Sequence, residues 1–211
     1  MTLPFNVVLR VYRIPLSTNV ERVALALAFK GIEVAWVDVD PDDRSAIVEL
    51  SGQELVPVLV DDDLVLPDST RILAHLEERF PEPALYPADP ARRAEAEVFV
   101  DWFNRVWKRA PNALDEELSR PDPDADVATA LAAEIAASRD IFEALLTGRD
   151  YLLGDFGVAD CAAFPFLRFA RYHEENDPYV FHHVLIEHLA LDGGYPNLAG
   201  WLERMEARPR A

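Results

Sequence analysis

Two short stretches hold residue types whose spacing could do chemistry. The first is IPLSTNVERVALALAFKG, from Ile14 to Gly31, where Pro, Ser, Thr and Asn stand directly before an apolar helical pattern. Ser17 falls at the opening of that helix. Orphan backbone N–H groups and the helix macrodipole favour an anion there. A hydroxyl donor at such a place can hydrogen-bond a thiolate and lower the pKa of the parent thiol, and the thiolate is the reactive form. No histidine or carboxylate is obviously paired with Ser17, so it reads as a stabiliser of a ligand's thiolate rather than as a covalent nucleophile. A plainer reading also exists. Thr18 and Glu21 match the S/T-x-x-E capping box, which makes Thr18 the cap and leaves Ser17 one step outside it. Arg22, on the first or second turn, either supports the electrostatics of the site or forms a salt bridge.

The second stretch is PDSTRILAHLEERF, in which Asp68 and Ser69 precede a helix and are suited to cap it. Upstream, Val56-Pro57 opens the apolar run VPVLV. Proline there removes a backbone donor and restricts Val56. Other candidates carry less. The single cysteine, Cys161, lies in an apolar helix and reads as a buried structural thiol. His182, His183 and His188 do not share one helical face, so a metal site there is not expected.

The elements that must position these residues follow from periodicity. Residues 7–13 predict a short buried strand. Residues 19–30 predict a helix with Val20, Val23, Ala24 and Leu27 on one face and Gly31 as C-cap. IEVAWVDVD reads as a strand, PDDRSAIVELSG as a helix ending in Gly, VPVLV and LVL as strands about a DDD turn. A helix with Ile72, Leu73, Leu76 and Phe80 on its apolar side closes the series. The first β-α-β unit implies a parallel crossover and the later pair an antiparallel hairpin. PEPALYPADP reads as a surface linker. Everything after it is helical: a long helix over PARRAEAEVFVDWFNRVWKRA that passes Pro111 only with a kink or break, a second over PDADVATALAAEIAASRDIFEALL, a buried central one over GVADCAAFPFLRFARY, then two more. The expected division is 1–84 and 85–211.

Composition narrows the classes. The chain has 211 residues and a net charge of −18, spread over both halves. Such a surface repels nucleic acid backbones. No run of 18 apolar residues is present, so no membrane span is expected. The opening MTLPFNVVLRVYR lacks the order of a signal peptide, and a cytoplasmic location is expected.

The order of elements, with three local strings, resembles the glutathione S-transferase superfamily across nearly the whole chain. The strings are LVPVLVDDDLVLPDSTRILAHLEERFPEPALYPADP, YLLGDFGVADCAAFPFL and YPNLAGWLERMEARP. The resemblance implies an α/β thioredoxin-like first domain, which binds glutathione, and an all-helical second domain, which supplies the pocket for the electrophile. STNVERV resembles the serine-type, phi-like arrangement, with Ser17 five residues before Arg22. Tyrosine-type relatives use a tyrosine at the end of the first strand, a position that Tyr12 matches. The resemblance further implies a cis bond at Val56-Pro57, with the Val56 backbone facing the ligand's cysteine. It implies that Ser69 and helix N–H groups hold the γ-glutamyl carboxylate, that Asp68 faces the ammonium, and that Gln53 approaches the peptide. Glutathione enters as co-substrate, with no metal. The region DPDDRSAIVELSGQEL departs from the phi-like pattern: it is acidic, with Arg44 its only cation, which leaves another low-molecular-weight thiol as an alternative. Gly157 stands where the family usually has Ser or Thr, with Asp160 three positions on; both read as structural.

The expected function is conjugation of glutathione to small hydrophobic electrophiles or reduction of hydroperoxides, in a homodimer. A glutathione-dependent isomerase and a non-catalytic binding protein of the same fold are the alternatives. Trp102, Phe103, Val106, Trp107, Arg109, Phe166, Arg168 and Tyr172 are read mainly as core or domain-interface residues, with one or two of them lining a substrate cleft.

Overall fold

A run of alternating apolar residues on either side of a short polar turn has to pair with itself, and four such strands make the sheet of the first unit. In the computed structural model, which describes residues 9–173 and 177–211, these are β1 (Arg10–Arg13), β2 (Ala35–Asp38), β3 (Val58–Asp61) and β4 (Leu64–Pro67). The order is β2-β1-β3-β4, with β1 parallel to β2 and the other pairs antiparallel. The crossover and the hairpin are as the sequence predicts. The first two residues of the strand expected over 7–13 lie outside the described residues.

Three helices belong to this sheet: α1 (Thr18–Lys30), α2 (Ser45–Ser51) and α3 (Ser69–Arg79). Alternate strand residues point to opposite faces. Val58 joins Ile14, Val39 and Ile47 in one cluster, with Tyr12 and Val56 packed against it. Val11 and Leu59 are buried on the other face. All four predicted core positions of α1 are buried, and so are Leu25 and Ala26. Gly31, at φ 64°, ends α1 with its N–H on Ala28 O, and Ile32 N bonds Leu27 O. That left-handed turn is what glycine supplies.

Two expectations need correction here. Asp61 is no turn residue: it is the buried last residue of β3, and its Oδ2 meets His75 Nε2 at 2.7 Å and Arg79 Nε at 3.0 Å. Only Asp62 and Asp63 make the turn, with Asp62 at φ 53°. The Pro-rich segment does not simply lie over the surface either. Leu85 and Tyr86 are buried. Their N–H groups bond the Glu77 carboxylate at 2.9 and 3.2 Å, while Lys30 Nζ binds Glu77 at 2.7 Å and the carbonyls of Phe80 and Pro83. A buried ion pair therefore secures this segment. The Glu82-Pro83 bond is cis.

The chain divides into two compact units, one reaching to Tyr86 and including Pro209–Ala211, the other spanning Pro87–Arg208. The second is helical: α4 (Pro90–Trp102), α5 (Arg109–Leu118), α6 (Ala125–Leu145), α7 (Val158–Leu167), α8 (Val180–Leu189) and α9 (Pro196–Glu206). An α/β unit followed by an all-helical one is the expected fold class. The long helix predicted up to Pro111 breaks earlier, at a π-helical turn over Phe103–Trp107. Pro111 then falls in the first turn of α5, where its missing N–H costs nothing.

Every residue of α7 is buried. Asp160, fully buried, accepts from Leu152 N and Trp201 Nε1 on one oxygen and from Gly157 N on the other. The last bond is half of a capping box, which Gly157 cannot complete for want of a side chain. Burial pushes the Asp160 carboxyl from 3.8 up to about 6 against those donors. Since its folded value lies above its unfolded one, the stability it supplies is complete below pH 4 and is lost as pH rises through 6. Measured by urea unfolding, the stability of the parent relative to Asp160→Asn should fall by roughly 1 kcal/mol between pH 5 and 7. Parallel profiles for the two proteins would show that this carboxyl does not titrate there.

Candidate functional site

Strand register decides which candidates meet. Tyr12 pairs with Val58, and Val58 pairs with Pro67. The β1–α1 turn, the Val56-Pro57 turn and the start of α3 therefore leave the sheet at one end.

The β1–α1 turn is built by Leu16, at φ 67°, and closed by Ser17 N on Ile14 O at 3.3 Å. Ser17 is the N-cap of α1, with extended backbone, and its carbonyl accepts from Glu21 N at 3.0 Å. Its hydroxyl makes no capping bond to the helix. This corrects the Thr18–Glu21 box. Thr18 is the first helical residue and is buried, because the turn delivers the chain into helix one residue earlier than the box requires. The Ser17 hydroxyl thus stands at the positive end of a 13-residue helix without serving its backbone. Tyr12 is half-buried, with its ring against the Ile14–Val39–Ile47–Val58 cluster.

At the second helix start, Asp68 sits at φ 78°, ψ 122° and caps α3: one carboxylate oxygen accepts from Thr70 N at 2.9 Å and Arg71 N at 3.1 Å. Holding a non-glycine residue there costs of order 1–3 kcal/mol. Ser69 is 3% exposed, and its Oγ accepts from Nη1 of Arg22 at 3.4 Å. Arg22 is itself 1% exposed. Sequence spacing gives no sign of this contact, which joins residues 47 apart. It sets a guanidinium beside the N-terminus of α3 and leaves the Ser69 proton available to donate. A buried cation and a hydroxyl beside a helix N-terminus, where Asp68 already takes the N–H groups of Thr70 and Arg71, have the chemistry to receive an anion.

The Val56-Pro57 bond is cis, with Pro57 buried and Val56 half-buried. The Gln53 amide is engaged within its own loop. Its Nε2 donates to Leu55 O at 2.7 Å and Ser51 Oγ at 3.2 Å, and its Oε1 accepts from Leu55 N at 2.6 Å. Gln53 thus lies in the loop that leads to Val56, with its amide bonded to Ser51 and Leu55. Arg44 likewise braces its loop through the carbonyls of Pro41 and Glu54.

In the helical unit, Phe103 and Trp107 stack with ring centroids 4.4 Å apart, and Phe142 and Phe166 meet both edge-on. Trp107 Nε1 donates to Ser138 Oγ at 3.0 Å. These rings are core. Arg109 pairs with Glu134 and Arg168 with Glu206. Trp102 and Tyr172 are half-buried and Val106 is exposed. His182 Nδ1 meets Asp177 Oδ2 at 2.6 Å, and His183 Nε2 donates to the Asp177 carbonyl. Among the described residues no group of three or more His, Cys, Asp or Glu side chains could hold a metal ion, and no helix is long and apolar enough to cross a membrane. Cys161 is buried in α7.

Comparison with known proteins decides the family. The glutathione S-transferase N-terminal domain model matches residues 11–84, and the C-terminal domain model matches 125–204. Glutathione S-transferase GstB of Escherichia coli K12 is 32% identical over 163 residues, covering 72% of this chain and 77% of that protein. The chain belongs to the glutathione S-transferase family. Proteins of another name are also similar: a stringent starvation protein A homolog of Pasteurella multocida is 33% identical over 153 residues, covering 69% of this chain and 67% of that one. A crystal structure of a glutathione S-transferase from Rhodospirillum rubrum superposes with a TM-score of 0.74 at 28% identity, covering 95% of this chain and 89% of that one.

Proposed function

We propose that this family member is a glutathione transferase that conjugates glutathione to small hydrophobic electrophiles or reduces hydroperoxides, as a serine-type enzyme with phi-like spacing. The Ser17 hydroxyl donates to the ligand's sulfur and stabilises its thiolate. Binding fixes the sulfur at the opening of α1, so that an electrophile meets it already ionised. Arg22, Ser69 and the α3 N-terminus take the γ-glutamyl carboxylate, while the exposed Asp68 carboxylate attracts the ammonium. The backbone of Val56, ahead of the cis Pro57, bonds the cysteine residue of the tripeptide. Residues 1–84 carry the thiol site and residues 85–211 supply the electrophile pocket. The protein acts in the cytoplasm as a homodimer, on small molecules and not on nucleic acid.

One observation carries this reading: the Ser17 hydroxyl stands at a helix N-terminus without capping it, at the sheet end it shares with Pro57 and Ser69. Titration with glutathione, followed by tryptophan fluorescence, should saturate below about 10 mM, a binding energy of only ~3 kcal/mol. Ser69→Ala should weaken it about tenfold by removing one hydrogen bond to a charged group. Absence of binding to glutathione would overturn the transferase reading with that thiol. A second reading is a non-catalytic protein of the same fold, since some relatives carry the name stringent starvation protein A homolog, which names no transferase activity. It predicts binding or its absence with no turnover in either case. An isomerase would bind glutathione and leave it unconsumed.

A further inference from the structure

The thiol site has an unfavourable neighbour on its own helix. Glu21 lies four residues after Ser17, bonded through its N–H to the Ser17 carbonyl. Four residues along a helix amount to roughly 6 Å of rise and about 40° of rotation, so Glu21 stands one turn above Ser17 on nearly the same face. An acidic residue in the first turn helps the helix. It opposes a second negative charge at the helix start, which is what a bound thiolate brings.

Arg210 meets this carboxylate. Its Nε and Nη2 both donate to Glu21 Oε1 at 3.2 Å, and the neighbouring Ala211 N bonds Ala24 O on the same helix at 3.2 Å. The pair is largely shielded, with side chains 25% and 18% exposed. Pro209–Ala211 is part of the first unit, along with α1. The other charged side chains of α1 have their own partners: Arg22 faces Ser69 of α3, where Asp68 caps the helix, and Lys30 pairs with Glu77 at the far end. On the strand leading into the turn, Arg13 pairs with Asp38.

We infer that Arg210 is a positioning residue for the thiol site, offsetting the charge of Glu21 and steadying the first turn of α1 so that position 17 can face an anion. Its relevance to turnover rests on the transferase reading; the electrostatic claim can be read without it. A charge of either sign about one helical turn away, near a protein surface, changes a thiol's ionisation by about 0.3–1 in pKa.

The test puts a thiol at the site itself. In a Ser17→Cys background the introduced thiol is titrated by its absorbance near 240 nm and by the pH dependence of its alkylation, Cys161 being buried. Arg210→Ala should raise its pKa by about 0.5, a threefold loss of thiolate near neutral pH. Arg210→Lys should restore most of the difference. Glu21→Gln should lower the value, and Glu21→Gln with Arg210→Ala should return it to the parent's. A purely structural clasp predicts weaker folding with no charge-compensated pattern, and one common pKa across the set overturns the proposal. The same substitutions in the Ser17 protein should move the ionisation of bound glutathione in parallel. If the introduced thiol follows the pattern and glutathione does not bind, the offset stands and the transferase reading falls.

Discussion

Ser17→Ala is expected to reduce kcat/KM for glutathione conjugation by about 10²–10³, the range seen when a single hydrogen-bond donor to a developing anion is removed. Glutathione affinity should change little. The Ser17 hydroxyl has no part in holding the helix together. It makes no bond to the α1 backbone, so its removal takes no cap from the helix and should leave stability within ~0.5 kcal/mol of the parent. Its loss falls on the thiolate alone. A hydrogen bond to a charged group contributes about 1.5–3 kcal/mol, which is about 1–2 in the pKa of the bound thiol. The pH profile of kcat/KM should therefore move to higher pH by that amount, with much of the lost rate recovered at alkaline pH. An unchanged profile with intact binding would pass the role to Tyr12 or Thr18. Tyr12→Phe is the comparison, and with its ring packed into the Ile14 cluster it should leave the profile where it is.

Lys30→Met is expected to destabilise the first unit by about 3–5 kcal/mol, the cost of breaking a buried pair from one side. The Lys30 side chain is fully buried and that of Glu77 is 9% exposed. Methionine fills the volume of the lysine stem but supplies no donor. Among the described residues the Glu77 carboxylate would keep the N–H groups of Leu85 and Tyr86 alone, and the carbonyls of Phe80 and Pro83 would lose a partner. Lys30→Met with Glu77→Gln should recover a large part of the loss, because it removes the stranded charge. Urea unfolding of the three variants measures both effects. A loss under 1 kcal/mol for the single variant would mean that water reaches the pair.

The sequence makes the periodic features of this molecule legible and hides those made by long-range contact. The β-α-β crossover, the hairpin, the glycine stop at Gly31 and the wholly buried α7 all follow from apolar spacing and turn residues, which are local. The family strings add the cis bond at Val56-Pro57, which composition alone leaves open. What spacing cannot reach is pairing across dozens of residues. Spacing leaves Arg22 as either a support of the site or a salt-bridge partner, and only the packing of α1 with α3 shows that it is buried against Ser69. Nothing in the spacing of Lys30 and Glu77 announces that they pair, yet together they hold the segment at Leu85 and Tyr86. The capping box failed by one residue because Leu16, at φ 67°, ends the turn in a conformation that nothing local to an L-leucine announces. Gln53 shows a related limit. A glutamine side chain is long enough to reach a ligand or its own loop, and spacing does not announce the bonds that it makes to Leu55.

The π-helical turn at Phe103–Trp107 re-aims the helix that follows it. Each α-helical residue advances the side chain by about 100°, and a wider turn takes up one residue more than an α turn does. A helical wheel started at Pro90 keeps Ala110, Pro111, Leu114 and Glu117 in line with Ala96, Phe99, Val100, Phe103 and Trp107. The buried stripe is therefore continuous in sequence, while the wider turn swings its direction in space by about that angle. Arg109, at the start of α5, pairs with Glu134 of α6. One added residue has thus fixed the azimuth at which the second half of an otherwise continuous rod presents itself to its neighbours.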